Sequence, residues 1–240
     1  MYEKGFQFMW YIEQEVLDYN IVEDFFTYYL TQENLMSICA FTFRHVFSNF
    51  VEQYYTDADT VNNVLAMVNY EEWIYEMGPD PTGTLSFSNN ATNAAVNLAN
   101  AYVQAAGGAV SGASAYLTWP SNQQVVFHQT LLWNPSTTTS VMAAVDAALN
   151  CTNTNDPEVK ERWFALGIYL NYSPIWTPAQ NWVSSMGRNK YLNAIYQACG
   201  EAGLTQRNTC IGWFNTLKCW YTPTSRYLVA ELLGVSASGC

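Results

Sequence analysis

Positive charge is scarce in this chain of 240 residues. Nine Lys and Arg oppose twenty Asp and Glu, which gives a formal net charge of -11. A surface of that sign repels phosphate backbones, so the composition argues against nucleic acid as a partner. Long apolar runs are missing as well, because no stretch reaches the ~18 consecutive apolar residues that a membrane span requires. We therefore expect no membrane span.

The patterns that identify common active sites are also absent. There are two histidines, His45 and His128, far apart in sequence, so no His-Glu-x-x-His zinc motif can form. No Gly-rich phosphate loop and no Gly-x-Ser-x-Gly elbow is present. The first residues lack the basic region and apolar core of a secretory signal, and we expect a cytoplasmic location. The sequence thus predicts neither a metal site nor a complete active site within this chain.

Six cysteines are present, and none of them forms a Cys-x-x-Cys pair. A chain of this length can bury a core without covalent staples, and free Cys is readily buried. The expectation is therefore of reduced, mostly buried thiols at these positions: Cys39, Cys151, Cys199, Cys210, Cys219 and Cys240.

Half of the residues are apolar and 16% are aromatic, which excludes a disordered chain. Their periodicity is helical almost everywhere. Val159, Trp163 and Leu166 recur at steps of four and three, after a helix start in which Asp156 can cap the amides and Pro157 fits the first turn. The same cap-then-proline pattern recurs at Thr177-Pro178 and Thr222-Pro223. Segments of this kind with short connections predict an all-α protein of antiparallel helices, resembling one end of an α-solenoid.

A glycine- and proline-rich stretch at 78–83 is the best candidate boundary between domains. We expect a first domain over residues 1–78, a linker over 79–83 and a second domain over 84–240. Residues 81–145 contain no Asp, Glu, Lys or Arg. Two interpretations stay open for this segment: a helical layer solvated by amides and hydroxyls, or a surface that associates with a partner.

Two short motifs at opposite ends of the chain are recognisable: Tyr-Glu-Lys-Gly-Phe at 2–6 and Gly-Arg-x-Lys at 187–190. Between and after them come Trp-Ile-Tyr at 73–75, Glu158, Arg-Trp at 162–163 and Thr-Pro at 222–223. In this order and approximate spacing, the set resembles the leukotriene A4 hydrolase and aminopeptidase B branch of the zinc aminopeptidases, C-terminal portion only.

The resemblance implies a fold and a set of roles. Residues 1–78 would be the helical tail of a thermolysin-like catalytic domain, and residues 84–240 a HEAT- or armadillo-like helical domain. Tyr2 would donate a hydrogen bond to the developing oxyanion during peptide hydrolysis. Arg188 and Lys190 would receive the carboxylate of a peptide with a free N-terminus or of a fatty-acid-like substrate. The zinc of the family would have no ligands in this chain.

The first hypothesis is therefore the C-terminal part of a zinc aminopeptidase, with epoxide hydrolysis as a second activity, that is inactive alone. The alternative is a non-catalytic helical interaction module derived from that family. In a third interpretation, a separate polypeptide supplies the zinc-binding half. We also expect self-association, because separation from a catalytic domain would expose apolar surface.

Overall fold

The computed structural model describes residues 2–85 and 89–240, and the chain divides into two compact units, Met1–Phe87 and Ser88–Cys240. Within the described residues the regular structure is helical and no strand occurs, which confirms the all-α prediction. None of the helices in these ranges combines the length and hydrophobicity needed to cross a bilayer. The division at residue 87 falls a few residues after 79–83, the range that we expected to be the linker.

The first unit packs around an aromatic core. Phe25, Phe47 and Trp73 are almost fully buried, and the Phe25 ring meets the Phe47 ring edge-on at 5.3 Å between centroids. Such edge-to-face contacts add to the burial of large apolar side chains. The helices are α1 (Tyr2–Tyr11), a π-helical segment (Ile12–Leu17), α2 (Tyr19–Gln32), α3 (Ala40–Tyr54), α4 (Ala58–Ala66) and a second π-helical segment (Glu71–Tyr75).

The second unit contains the remaining α-helices, several of which begin as their sequences predict. The Asp156 side chain accepts from the amides of Glu158 and Val159, and the Thr222 side chain accepts from that of Ser225. The helices are α5 (Asn90–Gln104), α6 (Ser121–Trp133), α7 (Thr139–Leu149), α8 (Pro157–Tyr169), α9 (Trp176–Ser185), α10 (Asn189–Glu201), α11 (Leu204–Leu217) and α12 (Pro223–Leu233).

Helices α6, α8, α10 and α12 pack side by side in sequence order, and hydrogen bonds between their N-terminal ends show that they run parallel. Their first turns are linked in series by side-chain hydrogen bonds: Ser121 to Asp156, Lys190 to Glu158, and Ser225 to Asn189. Because consecutive members of this layer are parallel, the helices between them must return in the opposite direction. The layer therefore has one end of helix N-termini and one end of helix C-termini.

Most of the uncharged segment 81–145 belongs to this unit, which begins at Ser88. Its helices α5 and α6 approach closely where Ala95 and Ala99 are fully buried, and Phe127 and Leu131 of α6 are equally inaccessible. The small alanines allow two helix backbones to come together, so the low charge of the segment accompanies an ordinary packed layer.

The prediction of reduced cysteines is wrong for four of the six. Cys199 of α10 is bonded to Cys210 of α11, and Cys219 is bonded to Cys240. The short turn between α10 and α11 brings the first two within 6.1 Å between Cα atoms, inside the range that a disulfide spans. Sequence spacing does not reveal this proximity. Cys151 is a buried free thiol, as expected, and Cys39 is free and exposed.

Candidate functional site

Tyr2 belongs to the first unit and lies at the start of α1, where its side chain is 92% exposed. The same turn is fixed by Lys4, whose ammonium donates to the carbonyl oxygens of Glu72 and Glu76 at 2.7 and 2.6 Å. These bonds tie α1 to the second π-helical segment. The phenol is therefore carried on an anchored helix while its ring faces solvent.

Arg188 and Lys190 lie together in the second unit, at the N-terminus of α10. Tyr191, the next residue, holds them on one aromatic ring. The guanidinium carbon of Arg188 is 5.3 Å from the Tyr191 ring centroid, and the Lys190 ammonium is 5.5 Å from it. Cations at such distances are attracted by the ring quadrupole. The structure thus brings the two predicted cations into one cluster.

Glu158, in the first turn of α8, binds this cluster from the neighbouring helix. Its carboxylate accepts from the Lys190 ammonium at 2.7 Å and from the Tyr191 hydroxyl at 2.9 Å. The hydrogen bond from Lys190 is the main cause that lowers the pKa of Glu158 below its ordinary value. Glu158 is therefore an ionised anchor that fixes the Tyr191 ring.

Arg162 and Glu161 complete the charged cluster on α8. The Arg162 guanidinium donates to Gln129 of α6 at 2.8 Å and to the carbonyl oxygen of Glu158 at 2.8 Å. Glu161 has a buried carboxylate oxygen with no hydrogen-bond partner among the described residues, and Arg162 lies 3.7 Å from it. Burial raises the pKa of Glu161. Arg162 is thus occupied with structural contacts.

Arg188 differs from its neighbours in having no ion-pair partner in the part of the chain that the structure describes. It precedes the first turn of α10, beside the first turn of α8, so the partial positive charge of two helix N-termini adds to its own. A guanidinium can hold a carboxylate through two parallel hydrogen bonds. The arrangement is suited to binding a carboxylate at Arg188.

The sequence indicated Arg188 and Lys190 but not how they are held. No role was predicted for Tyr191 from the sequence, and Glu158 was named only as part of the motif set. Their bond joins residues 33 positions apart. A signal was nevertheless present: an acid at the start of one predicted helix meets a cation at the start of another when the two helices are parallel neighbours whose first turns lie level.

Zinc, which the resemblance implies, does not fit the residues present. No group of three or more His, Cys, Asp and Glu side chains that could hold a metal ion occurs among the described residues. His128 is fully buried, with its Nε2 2.7 Å from the Tyr116 hydroxyl, and His45 lies beside Asn49 on α3. The described residues therefore offer no set of zinc ligands, and no reaction step is assigned to zinc in this chain.

Comparison with protein families gives a match over residues 119–233 to the family described as leukotriene A4 hydrolase, C-terminal. The matched range contains Arg188, Lys190 and Glu158. It does not contain Tyr2.

Individual relatives extend over nearly the whole chain. Leucine aminopeptidase 2 of Sclerotinia sclerotiorum is 24% identical over 231 residues, covering 96% of this chain and 36% of the relative. Leukotriene A-4 hydrolase of Xenopus laevis is 22% identical over 239 residues, covering 99% of this chain and 38% of the relative. The chain therefore spans about a third of the length of these relatives.

A solved structure shares the fold. The structure of yeast LTA4 hydrolase in complex with bestatin matches with a TM-score of 0.80 and 20% identity, covering 98% of this chain and 39% of that one. At that identity the likeness shows the fold alone.

Proposed function

We propose that this chain belongs with the C-terminal part of the leukotriene A4 hydrolase family and is the substrate-carboxylate-binding part of an aminopeptidase of that type. The relationship covers the carboxylate-binding cluster but only about a third of the relatives' length. The zinc site would lie on residues outside this chain, so the chain alone is expected to be inactive. The whole enzyme would remove residues from the free N-terminus of peptides and hydrolyse epoxides as a second activity.

The observation that carries the proposal is the guanidinium of Arg188, which forms no ion pair among the described residues. In the proposed enzyme it receives the carboxylate of a peptide C-terminus or of a fatty-acid-like substrate. Lys190 lies beside it, but the carboxylate of Glu158 balances the charge of its ammonium. Binding of the carboxylate at Arg188 holds the reacting bond of the substrate in a fixed position, which lowers the entropic cost of the reaction.

Tyr2 supplies the second proposed role. A phenol is neutral at pH 7 and can donate a hydrogen bond to the oxyanion that forms when the scissile carbonyl is attacked. The exposed position of its ring on α1 leaves the hydroxyl accessible.

The test is complementation. The purified chain, supplied with zinc, is assayed for aminopeptidase activity alone and mixed with a separately expressed zinc-binding fragment of a related enzyme. We expect activity only in the mixture, kcat abolished by Tyr2→Phe, and KM raised by Arg188→Gln for peptides with a free carboxylate but not for their amides. Zinc-dependent hydrolysis by the chain alone would contradict the proposed division of roles.

The second candidate is a non-catalytic helical interaction module. A specific observation favours it: the first unit exposes many large apolar side chains, including Leu35 at 98% and Phe41 at 77%. Such surface is typical of an interface, with a catalytic half, another protein or a second copy. Absence of aminopeptidase activity in every complementation mixture, together with self-association of the chain in analytical sedimentation, would favour this function.

A cytoplasmic location is still our proposal for the enzyme, although the cysteines no longer support it. Two disulfides are rare in cytosolic proteins and common in oxidising compartments. Cell fractionation with an antibody against the chain would decide between the cytosol and an oxidising compartment.

A further inference from the structure

The opposite end of the parallel layer contains a groove of about 500 Å³. Three helices end in it: α6 at Trp133, α8 at Tyr169 and α10 at Glu201. Each of these final residues lines the groove. Its remaining lining residues are Leu132, Ala165, Ala194 and Gln197.

The charges around this groove favour a cation. A helix C-terminus carries a partial negative charge, and none of the three helices has a basic residue in its last turn. Glu201 adds a full negative charge. The Tyr169 hydroxyl and the Gln197 amide both donate to its carboxylate, and these hydrogen bonds lower the pKa of Glu201. The groove is therefore negative at neutral pH.

The walls of the groove favour an apolar stem on that cation. Trp133 is 77% exposed, and no ring or cation packs on it among the described residues. Tryptophan is usually well buried, and its face is the best aromatic surface for a cation. Ala165 and Ala194 are small, so they leave room beside the indole for an aliphatic chain.

We propose that this groove binds an arginine side chain presented by a partner protein. The guanidinium lies between the Trp133 ring and the Glu201 carboxylate, and the aliphatic stem runs along the alanines. Arginine fits better than lysine because its planar head stacks on an indole and binds a carboxylate through two hydrogen bonds. The proposal is independent of the carboxylate site, which lies at the other end of the layer.

The test uses the full chain and a defined probe, Nα-acetyl-arginine amide, followed by saturation-transfer NMR, which detects weak binding to large or self-associated proteins. Nα-acetyl-citrulline amide is the neutral control of nearly the same shape. We expect transfer to the arginine side-chain protons, with binding weakened about fivefold in the citrulline probe and by Trp133→Leu or Glu201→Gln. Trp220→Leu is the matched control, because Trp220 is 86% exposed in the same unit and outside the groove.

Loss of transfer in the Trp133 and Glu201 variants, with the Trp220 variant unchanged and circular dichroism unaltered in all three, supports the site. Equal binding of the arginine and citrulline probes, no transfer at all, or equal effects of Trp133→Leu and Trp220→Leu would overturn it.

Discussion

Lys190 donates to both carboxylate oxygens of Glu158, at 2.7 and 2.5 Å, across the first turns of two parallel helices. One of the two cations predicted to receive a substrate carboxylate therefore already has a carboxylate of its own. Glu158 has two opposing effects on binding: it fixes the Tyr191 ring beneath Arg188, and it cancels the charge of Lys190.

Removing the negative charge of Glu158 separates these two effects. In Glu158→Gln the amide can still accept from Tyr191, while Lys190 loses its counterion. We expect the chain to bind acetyl-leucine about threefold more tightly at low salt, because a second cation then faces the ligand. The measurement is an NMR titration with acetyl-leucine, with acetyl-leucine amide as the uncharged probe.

Glu231→Gln is the control, because it changes the net charge equally from an exposed position on α12. Equal tightening in both variants would attribute the effect to net charge alone. Weaker binding in Glu158→Gln would show that the anchoring of Tyr191 matters more than the charge of Lys190.

Local signals in the sequence predicted much of the fold. Asp156 and Thr222 cap their helices as expected, because a cap needs only neighbouring residues. The helix containing Trp176 starts earlier than its Thr-Pro signal at 177–178 indicates, and Thr177 makes no cap bond. There Ser173–Ile175 forms a 3₁₀ turn that leads directly into the helix, so no side-chain cap is needed.

Nonlocal contacts could not be predicted in the same way. The spacing of Arg188 and Lys190 shows that they share a helix start, but the approach of Glu158 depends on how α8 and α10 pack. The groove at Trp133 requires three helix ends to coincide. The Cys199–Cys210 bond likewise depends on the turn between two helices, and not on the spacing of the cysteines.

The disulfides predict a specific pattern of thiol reactivity. Peptide mapping of the unreduced protein should find Cys199 linked to Cys210 and Cys219 linked to Cys240, with Cys39 as the thiol that alkylates in the native state. Replacing both Cys199 and Cys210 by Ala should lower the free energy of unfolding by about 2–4 kcal/mol, because the unfolded chain gains freedom. Cys39→Ala, at an exposed free thiol, should leave stability unchanged. Alkylation of five or six thiols without reductant would contradict the assignment.

His128 should make the second unit sensitive to acid. Burial lowers its pKa from 6.5 to about 3. Between these values the unfolded chain binds a proton that the native state does not, so this contribution to stability is complete above pH 6.5 and falls as the pH drops toward 3. The expected slope is at most about 1.4 kcal/mol per pH unit.

Urea unfolding at pH 7, 6 and 5 checks this slope. Gln at position 128 can still bond to the Tyr116 hydroxyl but does not titrate, so His128→Gln should flatten the pH dependence even if it lowers stability overall. His45→Gln, on α3 of the first unit, should not. Parallel pH profiles for wild type and His128→Gln would refute the assignment.

The packing of α10 on α12 gives the sharpest test of the fold. A Cβ atom added at Gly200 would lie 2.2 Å from the carbonyl oxygen of Leu232, a backbone atom that cannot rotate away. Gly200→Ala must therefore separate the two helices, and we expect a loss of about 1–3 kcal/mol in the free energy of unfolding.

Gly212 is the matched control, since it lies within α11 with nothing within 4 Å of an added Cβ. There alanine removes only backbone freedom, so Gly212→Ala should stabilise the protein by about 0.5–1 kcal/mol. Urea midpoints of the two variants should thus move in opposite directions from wild type, and a shift of both in the same direction would contradict the close approach of α10 and α12.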